Sequence, residues 1–233
     1  MLAALLLGAL AGTLTTVTGL GGGQLLLVGL AAVWDPMTAL TVTGPALLVG
    51  NMHRLAMFRE HLQWRVVGPY VAGALPGSVL GGLIAVQLPE TALHAIMVGM
   101  AALAGARLLF GWEVSAPPRL LAPGGAVVGG LAATGGGAGL LAGPMLLSAG
   151  LTGPAYIAAG SAGAIALHVG RMAAYGASGW VTGSTIATGL CIAVAVMAGN
   201  AVGRWIRPRV PDRWGPRLEV GAVGVCLALA VVA

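Results

Sequence analysis

The chain has 233 residues, of which 58% are hydrophobic and only 7% are charged, and its mean hydropathy is +0.96. A soluble chain of this length would carry roughly a quarter charged residues, so a lipid bilayer is expected as its main solvent. All 11 basic residues are arginines, but they lie in short connections between apolar runs and form no continuous basic face, which argues against nucleic-acid binding.

The chain starts with two short apolar segments, about 2–17 and 22–33, separated by a glycine cluster at residues 19–23. A single helix through this cluster would lose about 1 kcal/mol per glycine relative to alanine, so a break is expected. The break predicts a short hairpin that re-enters the side it came from. Three stretches long enough to cross a ~30 Å hydrocarbon core follow, at roughly 37–58, 66–86 and 91–110.

The second half repeats this order. Short apolar segments at about 121–134 and 139–151 flank a second glycine cluster at residues 135–139, and equivalent landmarks recur after about 171 − 54 = 117 residues, as at Arg54 and Arg171. The repeat predicts two related units, residues 1–117 and 118–233, within one integrated transmembrane domain. Since residues 1–18 lack a basic start and have a counterpart near Gly129, they are expected to be mature structure and not a secretory signal. The long stretches of the second half lie at roughly 154–175, 182–205 and 215–233.

Matched connections carry opposite charge. The connection after the first long stretch holds Arg59 and Arg65, whereas its partner at residues 176–181 has no charge. Conversely, residues 86–91 contain only Glu90, and their partner in the second half is rich in arginine. The positive-inside rule therefore places matched connections on opposite sides, which requires an odd number of crossings per unit. We predict an all-α integral membrane fold of two inverted repeats, each a glycine-broken short helix hairpin followed by three transmembrane helices, with both termini outside.

Local signals agree with this arrangement. Small-xxx-small glycines in Gly77-x-x-x-Gly81 and Gly199-x-x-x-Gly203 predict close helix contacts. Asp35 before a proline predicts a helix N-cap. The central connection, with Arg107 and Arg119, is expected inside. The six tryptophans are expected at span ends, where indole rings prefer the interface: Trp34, Trp64, Trp112, Trp180, Trp205 and Trp214.

The doubled unit, with a glycine-rich break, an Asp35-Pro36 or Gly153-Pro154 step into a long span and small-xxx-small glycines further on, resembles the sulfite exporter TauE/SafE family. The resemblance covers essentially the whole chain. It implies a multi-pass inner-membrane transporter of prokaryotic type that exports sulfite, sulfonates or related organosulfur anions. The implied partners are a small anionic substrate and the lipid bilayer.

The glycine breaks are candidate anion sites. Half-helices that begin at residues 21–24 and 137–140 would present N–H groups and the positive end of the helix dipole without a side chain in the way. The alternative is that these glycines only permit tight turns between packed helices. The candidate residues of the breaks are Gly21, Gly22, Gly23, Gln24, Gly136, Gly137 and Gly139.

Two polar pairs complete the candidate site. Asn51 and Arg54 are spaced i, i+3, as are His168 and Arg171, so each pair lies on one helix face. Arg171 precedes Trp180 by nine residues, roughly 13 Å along a helix, and an arginine at that depth normally faces the bundle interior or a cavity. The alternatives are hydrogen bonds from Arg171 to carbonyls freed by the breaks, an interfacial anchor at Arg54 and a core histidine at His168.

The sequence gives no sign of catalysis, a metal site or a cofactor. The acids Asp35, Glu60, Glu90, Glu113, Asp212 and Glu219 all lie at or near predicted connections, so no intramembrane carboxylate pair is expected. Three alternatives to a sulfur-anion exporter stay open: a transporter of another small organic anion, a transporter of a metal cation, which the absent acids disfavour, and a non-transporting membrane accessory or assembly subunit. The sequence also leaves open whether copies associate into a homo-oligomer.

Overall fold

A computed structural model describes residues 1–19, 21–111, 117–211 and 214–232, and in these ranges the chain forms ten α-helices with three short 3₁₀ turns. The ten predicted segments are confirmed with end points within three residues, and Ala233 lies outside the described residues. In the first half the helices are α1 Leu2–Thr18, α2 Gly22–Ala31, α3 Pro36–Phe58, α4 Trp64–Ala85 and α5 Glu90–Phe110. In the second half they are α6 Leu121–Gly135, α7 Ala138–Ser148, α8 Gly153–Ala177, α9 Gly183–Ile206 and α10 Gly215–Val232.

Apolarity is spread unevenly over the long helices. Of the described residues, three segments are long and apolar enough to cross a membrane by composition, namely α4, α8 and α9 with its following turn, with mean hydropathies of 1.4, 1.2 and 1.9. The six long stretches were predicted from their length, and α3 with 23 residues and α5 with 21 have that length, although α3 is less apolar than these three segments. In α3 the reason is visible, because Thr41, Thr43, Asn51 and Arg54 are all buried inside the protein and need not be apolar.

Both glycine clusters break the helix, as predicted. Gly19 and Gly21 between α1 and α2 have φ angles of 97° and 93°, and Gly136 and Gly137 between α6 and α7 have φ angles of 75° and 72°. These left-handed conformations favour glycine over any residue with a Cβ. With ten residues, α2 is only about 15 Å long and too short to cross the hydrocarbon core. Residues 24–31 of α2 are all buried, so this short helix is enclosed by protein.

Two glycine seams join the halves and confirm the predicted close contacts. A Cβ added at Gly77 in α4 would lie 2.1 Å from the carbonyl oxygen of Ala126 in α6. A Cβ added at Gly199 in α9 would lie 2.1 Å from the carbonyl oxygen of Ala9 in α1. No side chain fits at such distances, so the two backbones touch directly in each seam.

Each seam is a parallel pair of helices. One turn beyond the first contacts, Gly81 of α4 faces the carbonyl of Gly130, and Gly203 of α9 faces the carbonyl of Thr13. Residue numbers therefore rise together along α4 and α6, and along α9 and α1. At the centre, α3 packs against α8, and each also contacts a long helix of the other half, α9 and α4 respectively. The first helix of each half is thus packed on the fourth helix of the other.

The helix ends agree with the sequence. Asp35 caps α3, accepting a hydrogen bond from the backbone N–H of Thr38 at 2.8 Å, with Pro36 at the first helical position. Five tryptophans lie at or next to helix ends, and Trp112 lies outside the described residues: the five are Trp34, Trp64, Trp180, Trp205 and Trp214. The predicted positions at span ends are confirmed for these five, and their location at a membrane interface stays a prediction.

Candidate functional site

A cavity of about 130 Å³ lies where the two helix breaks meet the central helices α3 and α8. A water molecule in the liquid occupies about 30 Å³, so the cavity has room for a small oxyanion or a few waters. Both halves line it. Nine of the eleven residues predicted as a site are among its lining residues: Gly21, Gly23, Gln24, Asn51, Arg54, Gly136, Gly137, His168 and Arg171.

Of the other two predicted residues, Gly22 is not in this group, and Gly139 cannot be assigned to it or excluded from it within the described residues. Gly22 is buried against α1, where an added Cβ would lie 1.9 Å from the carbonyl oxygen of Ala11 and 2.0 Å from Oγ1 of Thr15. Its geometry therefore assigns it to helix packing, which corrects the prediction that it faces an anion. Gly139 lies in the first turn of α7, and its surroundings lie outside the described part of the chain.

Arg54 is held by neighbours from both halves. It is only 5% exposed, which excludes the interfacial-anchor alternative for this residue. Its Nε donates to Oγ of Ser161 in α8 at 2.8 Å, and its Nη2 donates to Oδ1 of Asn51 at 2.5 Å. Asn51 in turn donates from Nδ2 to the carbonyl of Leu47, at 2.6 Å, so the amide oxygen is oriented toward the guanidinium.

Arg171 makes the reciprocal contact with fewer partners. It is 3% exposed, as expected for an arginine that faces the bundle interior, and its Nη2 donates to Oγ1 of Thr43 in α3 at 3.0 Å. Its Nε is buried and has no hydrogen-bond partner among the residues that the structure describes. Because Arg54 meets Ser161 while Arg171 meets Thr43, the helices α3 and α8 run antiparallel. On α3, Arg54 lies about three turns after Thr43. On α8, Arg171 lies about three turns after Ser161.

The two breaks also face each other across the cavity. Oε1 of Gln24, in the first turn of α2, lies so close to the second break that a Cβ at Gly136 would be 2.6 Å from it. Gln24 is 7% exposed, and within the described part of the chain both its side-chain polar atoms are buried without a partner. The first N–H groups of α2 have no carbonyl acceptor within the helix, so this end of the cavity is rich in donors.

The charge of the cavity is positive. Arg107, in the last turn of α5, lines the cavity together with Arg54 and Arg171. No Asp or Glu is found among the described residues that line it. Asp35, Glu60 and Glu90 are exposed at helix ends as predicted, whereas Glu113, Asp212 and the side chain of Glu219 lie outside what the structure describes. Within the described residues no cluster of His, Cys, Asp or Glu could hold a metal ion.

Sequence reasoning missed part of the lining. It assigned Arg107 to the central connection, and the structure corrects this because the helix continues to Phe110 and the side chain reaches the cavity. Tyr70 and Cys226 also line the cavity, yet each occurs in an apolar run with no polar neighbour at helical spacing. Only the interhelical register identifies them, and no local pattern in the sequence encodes that register.

In the described part of the chain, helices long and apolar enough to cross a membrane, with two helix breaks and buried guanidinium groups at a cavity between them, define the class of integral membrane proteins. Comparison with known families gives the particular assignment. The chain matches the family described as Sulfite exporter TauE/SafE over residues 4–232, so it belongs to that family. Membership implies a membrane transporter of sulfur-containing anions. No curated protein and no solved structure matches the chain.

Proposed function

We propose that this chain exports sulfite or a small organosulfonate through the inner membrane of a prokaryotic cell, by alternating access between two inverted repeats. The repeats are residues 1–117 and 118–233. One observation carries the proposal: the buried Arg54 and Arg171 each donate to a hydroxyl group of the other half, at the edge of a cavity whose described lining contains no carboxylate.

Electrostatics favour an anion as the occupant. A buried cation without a countercharge loses its hydration and leaves donors unused, which costs several kcal/mol. An oxyanion at Arg171, whose Nε is buried with no partner among the described residues, would supply both the countercharge and the acceptors, and the planar guanidinium group suits two oxygens of one anion. A metal cation would be repelled by the same groups.

The helix directions support inverted repeats. In an inverted pair, equivalent helices of the two halves run in opposite directions, as α3 and α8 do. A broken hairpin before three crossings also makes the first helix of one half parallel to the fourth helix of the other. Both glycine seams have that direction. Alternating access would then move one half against the other around the cavity.

Export needs no coupling ion in this arrangement. An inside-negative membrane potential moves one negative charge outward with about 2.3 kcal/mol per 100 mV. The absence of acids from the described lining of the cavity agrees with a voltage-driven path. A non-transporting accessory subunit would not need a polar cavity between its halves, so the cavity favours transport over that alternative.

Flux in proteoliposomes tests the proposed function. Radiolabelled sulfite and acetate are loaded separately, the membrane potential is set with a potassium gradient and valinomycin, and efflux is compared with protein-free vesicles. We expect sulfite efflux that accelerates when the loaded side is negative, and slower acetate efflux. Faster acetate than sulfite transport would replace the proposed substrate class, and no anion flux above the protein-free level would contradict transport.

Labelling from each side tests the inverted arrangement. After replacement of Cys191 and Cys226, single cysteines near Arg59 and Arg209 are expected to react with an impermeant maleimide only from the cytoplasm. Single cysteines at Gln87 and Ser178 are expected to react only from outside. Labelling of matched connections from the same side would contradict the inverted arrangement.

A further inference from the structure

Gln24 is a buried amide that the scaffold does not satisfy. Its side chain lines the cavity at 7% exposure, and neither Oε1 nor Nε2 has a hydrogen-bond partner within the described residues. Each polar group of a buried amide that is left unpaired destabilises the folded protein by about 1–3 kcal/mol. A polar group of this kind needs a partner inside the cavity.

The amide differs in chemistry from its surroundings. The guanidinium groups of Arg54 and Arg171 only donate hydrogen bonds, and the first N–H groups of α2 also only donate. Gln24 offers two N–H donors and one carbonyl oxygen, so it places an acceptor among donors. That oxygen lies beside Gly136 of the opposite break, which also lines the cavity.

The helix break itself does not require this amide. The first break reads Gly21-Gly22-Gly23-Gln24, and the second reads Gly137-Ala138-Gly139-Leu140 at the equivalent positions. A leucine therefore stands in the second half where the first half has Gln24. Since α7 still begins at Ala138, the break forms without a polar residue at this place.

Resting on the proposed function, we propose that Gln24 determines specificity for sulfur anions that carry a hydrogen-bond donor beside the anionic group. The ligand class is a protonated sulfur oxyanion or a hydroxyl-bearing sulfonate. Its anionic oxygens accept from Nε2 of Gln24 and from one guanidinium group of the lining, and its hydroxyl group donates to Oε1. An anion that carries acceptors only would leave Oε1 of Gln24 unpaired and would bring its own oxygen lone pairs close to that oxygen. Such a mismatch lowers the affinity for that anion strongly relative to a ligand of similar size that carries a donor.

A matched pair of ligands tests the inference directly. Ethanesulfonate and 2-hydroxyethanesulfonate have the same charge and the same carbon skeleton, and they differ by one hydroxyl group. Isothermal titration of the purified full chain in detergent gives a dissociation constant for each. We expect the wild-type chain to prefer 2-hydroxyethanesulfonate by about tenfold, which is 1.4 kcal/mol.

Two variants assign that preference to the amide. Gln24→Met keeps the length of the side chain without its donors and acceptor, and Gln24→Leu reproduces the residue found in the second half. Both are expected to bind the two sulfonates equally, mainly through weaker binding of the hydroxyl-bearing one. The matched control is Gln87→Met, because Gln87 is exposed at the end of α4 and donates to the carbonyl of Leu83, and it should keep the wild-type ratio.

The outcomes separate the two levels of the proposal. If the wild-type chain binds both sulfonates equally, or if Gln24→Met keeps a tenfold preference, the specificity inference is overturned and the proposed function stands. If the wild-type chain binds neither sulfonate nor sulfite, the proposed function is overturned and the inference with it. The wild-type ratio decides the first question even if a variant fails to fold.

Discussion

The two halves have the same order of helices, but their buried arginines have different hydrogen-bond partners. Arg54 donates to Asn51 of its own helix and to Ser161 of the other half. Arg171 donates to Thr43 of the other half, its Nε has no partner, and His168 takes the place of Asn51. The two halves therefore have the same helix order and the same kind of contact between them, while the side chains around the arginines differ. We infer that Arg54 is chiefly fixed in place and that Arg171 has more capacity to bind a ligand.

Replacing Arg171 is expected to have the largest effect. Arg171→Ala should abolish sulfite flux in proteoliposomes, because it removes a buried cation with an unused donor. Arg171→Lys should restore flux only in part, since lysine lacks the planar fork of arginine. Arg119→Ala, which removes the same charge from an exposed position, is the control and should keep wild-type flux. Wild-type flux from a monodisperse Arg171→Ala sample would remove Arg171 from the mechanism.

The two glycine seams allow the packing of the halves to be compared through the stability of matched variants. Gly77→Leu and Gly199→Leu should each destabilise the protein by about 1–3 kcal/mol or more, because the added side chain meets a backbone carbonyl. Thermal unfolding in detergent measures the loss. Gly99→Leu is the control, since no atom of the described residues lies within 4 Å of an added Cβ at this position. A large loss in one seam only would show that the two seams are not equivalent.

Valine substitutions in the breaks distinguish anion binding from packing. Gly23 lines the cavity, and a Cβ added there would lie 3.5 Å from Leu47, at ordinary contact distance. Gly23→Val should therefore keep its stability and bind sulfite about tenfold more weakly, or 1.4 kcal/mol. We expect the same of Gly139→Val in the second half. Gly22→Val should instead lose stability, because its side chain would overlap α1.

Both binding and unfolding are measured on each of these valine variants. Wild-type sulfite affinity in Gly23→Val and Gly139→Val, at normal melting temperature, would defeat the idea that the breaks hold an anion. Weaker binding in Gly23→Val alone would restrict the anion contact to the first half.

The smallest expected difference lies at the entry of the central helices. The carboxylate of Asp35 caps α3, whereas Thr152 before α8 makes no side-chain cap hydrogen bond. Asp35→Ala should cost about 1 kcal/mol in thermal unfolding, and Thr152→Ala should cost much less. An equal loss in the two variants would contradict this difference between the halves.

The cap should also depend on pH. Partial burial raises the pKa of the Asp35 carboxyl, but hydrogen bonds from Thr38 more than offset this and leave the pKa below its ordinary value of 3.8. Because the pKa is lower in the folded state, the contribution of the cap is present at neutral pH. It is lost as the pH falls through the folded-state pKa. In Asp35→Ala that part of the acid dependence should disappear.

Much of the fold could be predicted from the sequence because its signals are local. Glycine clusters disfavour a continuous helix, the long apolar runs are long enough to cross the hydrocarbon core, and Asp35-Pro36 is an N-cap signal. These local signals predict the ends of α1 to α10 to within three residues. The direction in which a residue points depends on interhelical register, which no local pattern encodes. This is why Gly22 was assigned to the cavity although it packs on α1, and why the partners Ser161 and Thr43 were not foreseen.

The seams between the halves also have a consequence for biosynthesis. The contacts of α4 with α6 join residues 126 − 77 = 49 positions apart, whereas Thr13 of α1 bonds to Gly199 of α9 across 186 positions. At a synthesis rate of about 5–20 residues per second, α6 follows α4 within roughly 2–10 s, but α1 waits roughly 10–40 s for α9. During that interval the glycine face of α1 has no native partner in α9. The hairpin with α2, which follows immediately, is then the contact that keeps the start of the chain in place.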